Sequence, residues 1–306
     1  MSSRVTDTLV LTAAPGSGYL TQSVVDTVRE VVSGASGTWL AAGQAWEMRL
    51  DPSERAIEDV RSSIEEALGP APIDVNAVSA RTASRHKRLL CADMESTIIR
   101  EELIDEMAEA VGCRTEIAAI TDAAMRGEID FEGALVKRVA LFKGFAAERL
   151  DTILRRATFM PGAATLIRTM AAHGAKCALV SGGFTCFAGP IARRLGFDTV
   201  VANELVIEGG KLTGAVRQPI VGPDGKAQAL ARLAADNGLD LAETLAVGDG
   251  ANDLVMVRAA GLGVAFRAKP ILAAAARLSP SGAVVTHGDL TALLSLQGIP
   301  EAAYAA

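Results

Sequence analysis

A four-residue apolar run, Leu89-Leu90-Cys91-Ala92, ends abruptly on Asp93-Met94-Glu95-Ser96-Thr97 and turns apolar again at Ile98-Ile99. A short apolar run bounded by polar residues predicts a strand buried on both faces, a property of parallel sheets. Open sheets of that kind hold ligands just beyond the carboxyl ends of their strands, where Asp93 and Glu95 would stand. Alternation along an extended chain puts residues 93 and 95 on one side, so both carboxylates can face one site. Taken alone, the acidic pair is equally a solvated turn, and other segments have to decide.

The segments downstream fit a sheet of this kind. After Ile99 the pattern turns helical for about sixty residues, with helices predicted over 103–111, 115–125, 131–142 and 146–157. Four short helices inserted after a first strand make a candidate lid. From Pro161-Gly162 helices and strands alternate: helix 163–172, strand 177–180 ending in Ser181-Gly182-Gly183, a helix holding 191–195 and a strand over 199–202. A hairpin follows over 205–213, turning on Gly209-Gly210, then helix 227–235 and strand 244–247 ending in Gly248-Asp249-Gly250. Helix 252–260, a last short strand at 263–265 and an Ala-rich helix at 271–279 complete the series. Such alternation predicts an α/β fold built on a doubly wound parallel sheet.

Upstream, strands are predicted at 4–13, 38–41, 45–50 and 73–78, and helices at 21–32 (closed by glycines over 34–37) and 52–68. The order βαββαβ is that of an α+β ferredoxin-like sheet. A polar, basic linker over 79–87 separates it from the strand at 89. The expected division is an N-terminal unit over 1–80, a core over 81–100 and 158–306, and a helical cap over 101–157.

Composition narrows the partners. Net charge is −6 with no block of Lys or Arg, which argues against sequence-independent nucleic-acid binding. Aromatic residues are only 4% of the chain, too few for base-stacking platforms. No apolar run approaches the roughly 18 residues of a membrane span, and no signal segment opens the chain, so a cytoplasmic protein is expected. The four cysteines lie far apart without metal-binding spacing and read as buried apolar residues. The sequence leaves a homodimer open.

Four strand ends or loops carry the chemistry. Asp93 and Glu95 supply carboxylates. Ser181-Gly182-Gly183 offers a hydroxyl and bare backbone ahead of a helix, a common way to hold anions. Lys226, after a Gly-Pro-Asp-Gly turn, can neutralise a phosphate. Asp249, Asn252 and Asp253 form an oxygen-rich set suited to a hard cation such as Mg²⁺. Each feature alone is an ordinary turn, cap or surface charge; their joint order is what is improbable by accident.

That order resembles the haloacid-dehalogenase-like phosphohydrolases. Their first motif matches Asp93-Met94-Glu95-Ser96-Thr97, the second Ser181, the third Lys226 and the fourth Gly248-Asp249-Gly250-Ala251-Asn252-Asp253. Within that family the chain is similar to the phosphoserine phosphatase branch, through residues 98–106, the segment Phe131-Glu132-Gly133-Ala134-Leu135-Val136-Lys137-Arg138-Val139, and Ser181-Gly182-Gly183-Phe184-Thr185. Coverage is roughly 88–290. Residues 4–78 look similar to amino-acid-binding ACT domains in element order only. The chain departs from the family pattern at Glu95, where Asp is usual, and at Ala134, where many relatives carry Ser.

The resemblance implies roles. Asp93 would be the nucleophile, forming an aspartyl-phosphate, and Glu95 the general acid and base. Mg²⁺ would be held by Asp93, the backbone carbonyl of Glu95 and Asp249, with Asp253 behind them. Ser181, Lys226 and Asn252 would hold phosphate, Gly182 and Gly183 would present backbone N–H groups, and Glu102, Phe131 and Arg138 would line the substrate from the lid. The implied substrate is O-phospho-L-serine, in the last step of L-serine biosynthesis. Two rivals stand beside it: a phosphatase or phosphotransferase for another small phosphorylated metabolite, and a catalytically weak serine-binding regulator.

Overall fold

The computed structural model describes residues 7–32, 36–50, 57–78 and 85–305. The sequence-based starts at 4–6 and 52–56, the stop at Gly34 and the 79–84 part of the linker lie outside them.

The N-terminal part runs β1 (Thr8–Ala13), α1 (Gln22–Val31), β2 (Gly37–Ala41), β3 (Ala45–Arg49), α2 (Ile57–Leu68) and β4 (Ile73–Val78). Its antiparallel sheet has the order β2-β3-β1-β4, and the element sequence βαββαβ is ferredoxin-like. Thr21 caps α1 by accepting the Val24 N–H, and the Val25 and Val28 face of the helix is buried on the sheet.

The rest is organised by β5 (Leu89–Ala92). Four inserted helices follow: α3 (Leu103–Val111), α4 (Arg114–Met125), α5 (Phe131–Ala140) and α6 (Leu150–Leu154). Gly112 ends α3 in the left-handed region, φ 82°, and Asp130 caps α5 by accepting the Gly133 N–H at 2.8 Å. The predicted fourth helix over 146–157 is shorter than expected: a 3₁₀ turn, Ala147–Arg149, leads into five residues of α6.

The remaining elements are α7 (Ala163–Ala172), β6 (Lys176–Phe184), α8 (Thr185–Leu195), β7 (Thr199–Asn203), β8 (Leu205–Glu208), β9 (Lys211–Val216), α9 (Pro223–Asp236), β10 (Thr244–Gly248), α10 (Leu254–Ala259), β11 (Leu262–Phe266), α11 (Pro270–Arg277), β12 (Gly282–Val285) and α12 (Ala292–Leu296). Six strands form one parallel sheet in the order β12-β11-β10-β5-β6-β7. Leu90 and Ala92 of β5 join one apolar cluster and Leu89 and Cys91 the other, so both faces of the central strand are buried, as its unbroken apolar run requires.

Three expectations need correction. Residues 263–265 are not in the last strand: β12 pairs beyond β11 at the sheet edge. Gly282 and Ala283 begin a strand whose partners are entirely tertiary, so no local pattern announced it. Ser181-Gly182-Gly183 is not a turn but a continuation of β6 to Phe184, with the register to β7 shifting after Val180. Lys226 lies within the first turn of α9, which starts at Pro223, and not after a separate turn. Among the described residues, no helix is long and apolar enough to cross a membrane.

Candidate active site

The carboxyl ends of β5, β10 and β6 meet where the chain order of the parallel sheet reverses, the position at which such sheets bind ligands. Asp93 is the first residue past β5 and Asp249 the first past β10. Pro223 at the start of α9 sets the helix so that Lys226 points inward, fully buried. Its Nζ donates to Asp93 Oδ1 at 2.6 Å and to Asp253 Oδ1 at 2.7 Å. The other oxygen of Asp253 accepts the N–H groups of Asp249 (3.2 Å) and Gly250 (3.1 Å). Both Asp253 oxygens are thus engaged, which suits a strut for the loop after β10.

Ligand atoms of Asp93, Asp249 and Asp253 lie within 4.8 Å of one another, and all three residues are buried. Asp93 and Asp253 share one buried ammonium, and Asp249 stands beside them. Burial, then the charge of Asp253, pushes the Asp93 carboxyl above the usual carboxylate range against the pull of Lys226. Burial pushes Asp249 up to about 6, with Lys269 (Nζ 3.8 Å from Asp249 Oδ2) drawing it back. Burial also opposes the charge on Lys226, but Asp253 and Asp93 outweigh it and hold it firmly protonated. The surplus of negative charge in an all-oxygen setting fits a hard divalent cation.

Opposite this cluster stands Ser181, 1% exposed, whose Oγ accepts the Gly183 N–H at 2.9 Å. A Cβ at Gly183 would stand 3.0 Å from Glu95 Oε2 and 3.1 Å from Ser181 Oγ. Bare backbone there lets the hydroxyl and carboxyl share one pocket. The Glu95 side chain reaches the inserted helices: Oε1 accepts the Leu103 N–H at 2.7 Å, at the start of α3. Burial, then the neighbouring Glu102, pushes its carboxyl up to about 8, against the Leu103 N–H.

Residues on and before the inserted helices converge on the same place. Glu102 precedes α3, exposed, and accepts the Ser96 hydroxyl at 2.8 Å; Ser96 itself has a left-handed backbone, φ 55°. Arg138 donates through Nε to Ala134 O at 3.3 Å. Burial weakens its hold on the proton, while Glu95, Asp105 and Glu102 act the other way. Phe131 opens α5 and packs on Gly182. Asn252 shares a 3₁₀ turn with Asp253 and lies against Gly250, outside the lysine–carboxylate contacts. Sequence reasoning passed over Lys269 and Asn203, and gave Ser96 no role beyond its place in the first motif. Lys269 carries no local signal because its contact with Asp249 spans twenty residues.

A model of the haloacid dehalogenase-like hydrolase family matches residues 90–258. The phosphoserine phosphatase SerB2 of Mycobacterium tuberculosis is 41% identical over 253 residues, 83% of this chain and 61% of that protein. A phosphoserine phosphatase of Streptomyces coelicolor is 45% identical over 219 residues, 72% of this chain and 53% of that protein. The chain therefore spans little more than half the length of these curated relatives. A solved structure described as a phospho-aspartyl intermediate analogue of phosphoserine phosphatase is 38% identical, with a TM-score of 0.62, over 68% of this chain and 98% of that one.

Proposed function

The chain belongs to the haloacid dehalogenase-like hydrolase family, and from that premise we propose that it is a Mg²⁺-dependent phosphoserine phosphatase, releasing L-serine and phosphate from O-phospho-L-serine. The observation that carries the reading is the buried Lys226 joining Asp93 and Asp253, with Asp249 beside them and the Glu95 carboxyl held between the Leu103 N–H and Gly183. The names of the curated relatives and of the analogue-bound structure support the substrate and the aspartyl intermediate.

Phosphoryl transfer asks for alignment and charge neutralisation more than for covalent elaboration. Asp93 attacks phosphorus, the phosphorus–oxygen bond to serine breaks, and Glu95 passes its proton to the departing seryl oxygen. Water then attacks the phosphorus of the aspartyl-phosphate, gives a proton back to Glu95 and frees Asp93. Lys226 and the Ser181 hydroxyl hold phosphate oxygens, the N–H groups around Gly182 and Gly183 add donors, and Asn252 flanks the phosphate. Asp93, the Glu95 carbonyl and Asp249 would hold the cation, with Asp253 bracing their loop. When bound, the cation offsets the charge of the nucleophile and the phosphate. Glu102 reads the substrate ammonium and Arg138 its carboxylate, with the planar fork that Lys lacks. Phe131 closes the apolar side.

The division into a unit over 1–80, a core over 81–100 and 158–306 and a lid over 101–157 follows from this reading. The N-terminal sheet is then ACT-like in type.

Phosphate release from O-phospho-L-serine, measured with Mg²⁺, with chelator and with Asp93→Asn, tests the proposal. Activity that needs the cation and vanishes in the variant is expected. Unimpaired turnover by Asp93→Asn, or preference for phosphomonoesters lacking the amino-acid ends, would reject it.

A further inference from the structure

Asn203 ends β7, 1% exposed, and makes three hydrogen bonds that no motif foretells. Its Nδ2 donates to Gly182 O at 2.8 Å and to Val221 O at 3.2 Å, and its Oδ1 accepts the Val221 N–H at 2.7 Å. One side chain thus ties the substrate-facing end of β6 to the segment that enters α9, the helix carrying Lys226. No ladder joins these two backbones, because Val221 lies in no strand, and the β6–β7 pairing itself shifts register between Val180 and Phe184.

The gap that Asn203 spans is filled from the lid. A Cβ at Gly182 would stand 3.0 Å from Phe131 Cζ, and a Cβ at Gly222 would stand 3.1 Å from Phe131 Cδ1. Carbon atoms in ordinary contact lie about 3.5–4.0 Å apart, so the ring occupies the space that side chains at both positions would need. Gly222 does not owe its identity to its dihedrals: φ is −100° and ψ −164°, extended backbone open to any residue. The opposing constraint is the phenyl ring.

We infer that Gly182 and Gly222, held at fixed spacing by Asn203, form a socket in which Phe131 seats the lid, and that Asn203 is a positioning residue for the phosphate pocket. Seating the ring holds α5, and with it Arg138, over the site. The same strut fixes the distance between the Ser181 backbone and the start of the Lys226 helix.

The test is a double-mutant cycle on the full chain. Gly222→Ala should raise KM for O-phospho-L-serine about tenfold, the scale of a methyl group forced into a filled site, with a smaller effect on kcat. Amide exchange across residues 126–145 should quicken in the same variant. Adding Phe131→Leu, which leaves room for the methyl, should make the pair no worse than Gly222→Ala alone. Losses that multiply, or a Gly222→Ala variant indistinguishable from wild type, would overturn the socket. Asn203→Asp, which keeps the bond from the Val221 N–H and loses both donations, should raise KM and quicken exchange at 181–184 and 219–224. A lowered melting temperature with KM and exchange at those segments unchanged would make Asn203 merely structural and end the positioning claim. The activity readouts rest on the proposed substrate, whereas the exchange readouts do not, so a chain inactive on O-phospho-L-serine still decides the socket.

Discussion

At the scale of single residues, Glu95, the proposed acid–base group, is set apart by its length and its neighbours. Glu95 reaches the Leu103 N–H with one oxygen and turns the other toward Gly183. Burial and Glu102 push its carboxyl up to about 8. A general acid must carry its proton to be useful, so turnover should decline as pH rises through that value. Glu95→Gln should lower kcat by about 10²-fold or more, within the usual span of acid–base catalysis, and abolish the alkaline limb in initial-rate profiles from pH 6 to 9. An unchanged profile would reassign the proton donor. The carboxylates beside it predict a second dependence. Asp93 and Asp249 have folded-state values above their unfolded ones, so without a cation their contribution to stability is full below about pH 4 and is lost as pH rises through about 6 for Asp249 and higher for Asp93. A divalent cation removes that penalty. Melting temperatures taken with Mg²⁺ and with chelator should therefore diverge more at pH 8 than at pH 5; an equal gap would mean that the cluster does not hold the ion.

At the scale of elements, the proposed lid is braced by the β8–β9 hairpin. Gly144 donates to Leu212 O at 2.8 Å, Leu212 donates to Phe145 O at 2.9 Å and Ala147 donates to Gly210 O at 2.9 Å, so the chain leaving α5 runs as a third partner along β9. Leu212, 2% exposed, is the apolar pin of that seam. Leu212→Ala should cost about 2–5 kcal/mol in urea unfolding and quicken amide exchange over 141–150 while the parallel sheet stays protected. A change below about 0.5 kcal/mol would place the anchor of these helices elsewhere. The hairpin was legible in sequence because Gly209-Gly210 interrupts two apolar runs, whereas its duty as a brace was not, since nothing local connects residue 212 with residue 145. The same contrast runs through the site. Asp93 and Asp249 announce themselves because a buried strand's apolar run must stop somewhere, and it stops on them. Asn203 also stands at a strand end, yet its meaning depends on two backbones from other segments. Lys226 was visible as a charge after a turn; only the helix start at Pro223 aims it inward.

At the scale of the whole molecule, the two sheets are joined through an edge. β12 has β11 on one side only, and an open strand edge invites pairing with another chain. The N-terminal sheet covers it with side chains. Asn76 of β4 donates to Val284 O and accepts the Val284 N–H, both at 2.8 Å, standing in for the strand that is missing. Asp74 accepts the N–H groups of Thr286, His287 and Gly288 immediately beyond. Arg85 completes the seam, pairing with Glu47 at 2.6 Å and donating to the carbonyls of Ser295 and Leu296 at the end of α12. Val10 and Val78 lie in the same apolar cluster as Val285 and Leu293, so the junction is apolar as well as polar. Polar side chains in a strand read locally as the solvent face, which is why β4 was recognised as a strand but its outward residues were not recognised as a dock. Removing one partner from a buried pair costs more than the pair's net worth, because the other partner loses water as well. Asn76→Ala strips both Val284 groups and should cost about 2–4 kcal/mol. Asn76→Asp, which keeps the acceptor but sets a carboxylate against Val284 O, should fall no closer to wild type than Asn76→Ala does. Denaturant melts followed separately by the tryptophans, Trp39 and Trp46, which both lie in the N-terminal sheet, and by far-ultraviolet dichroism of the whole chain should coincide in wild type and separate in both variants. Coincident transitions in the variants, with stability within about 0.5 kcal/mol of wild type, would mean that the sheets are held by their apolar contact alone.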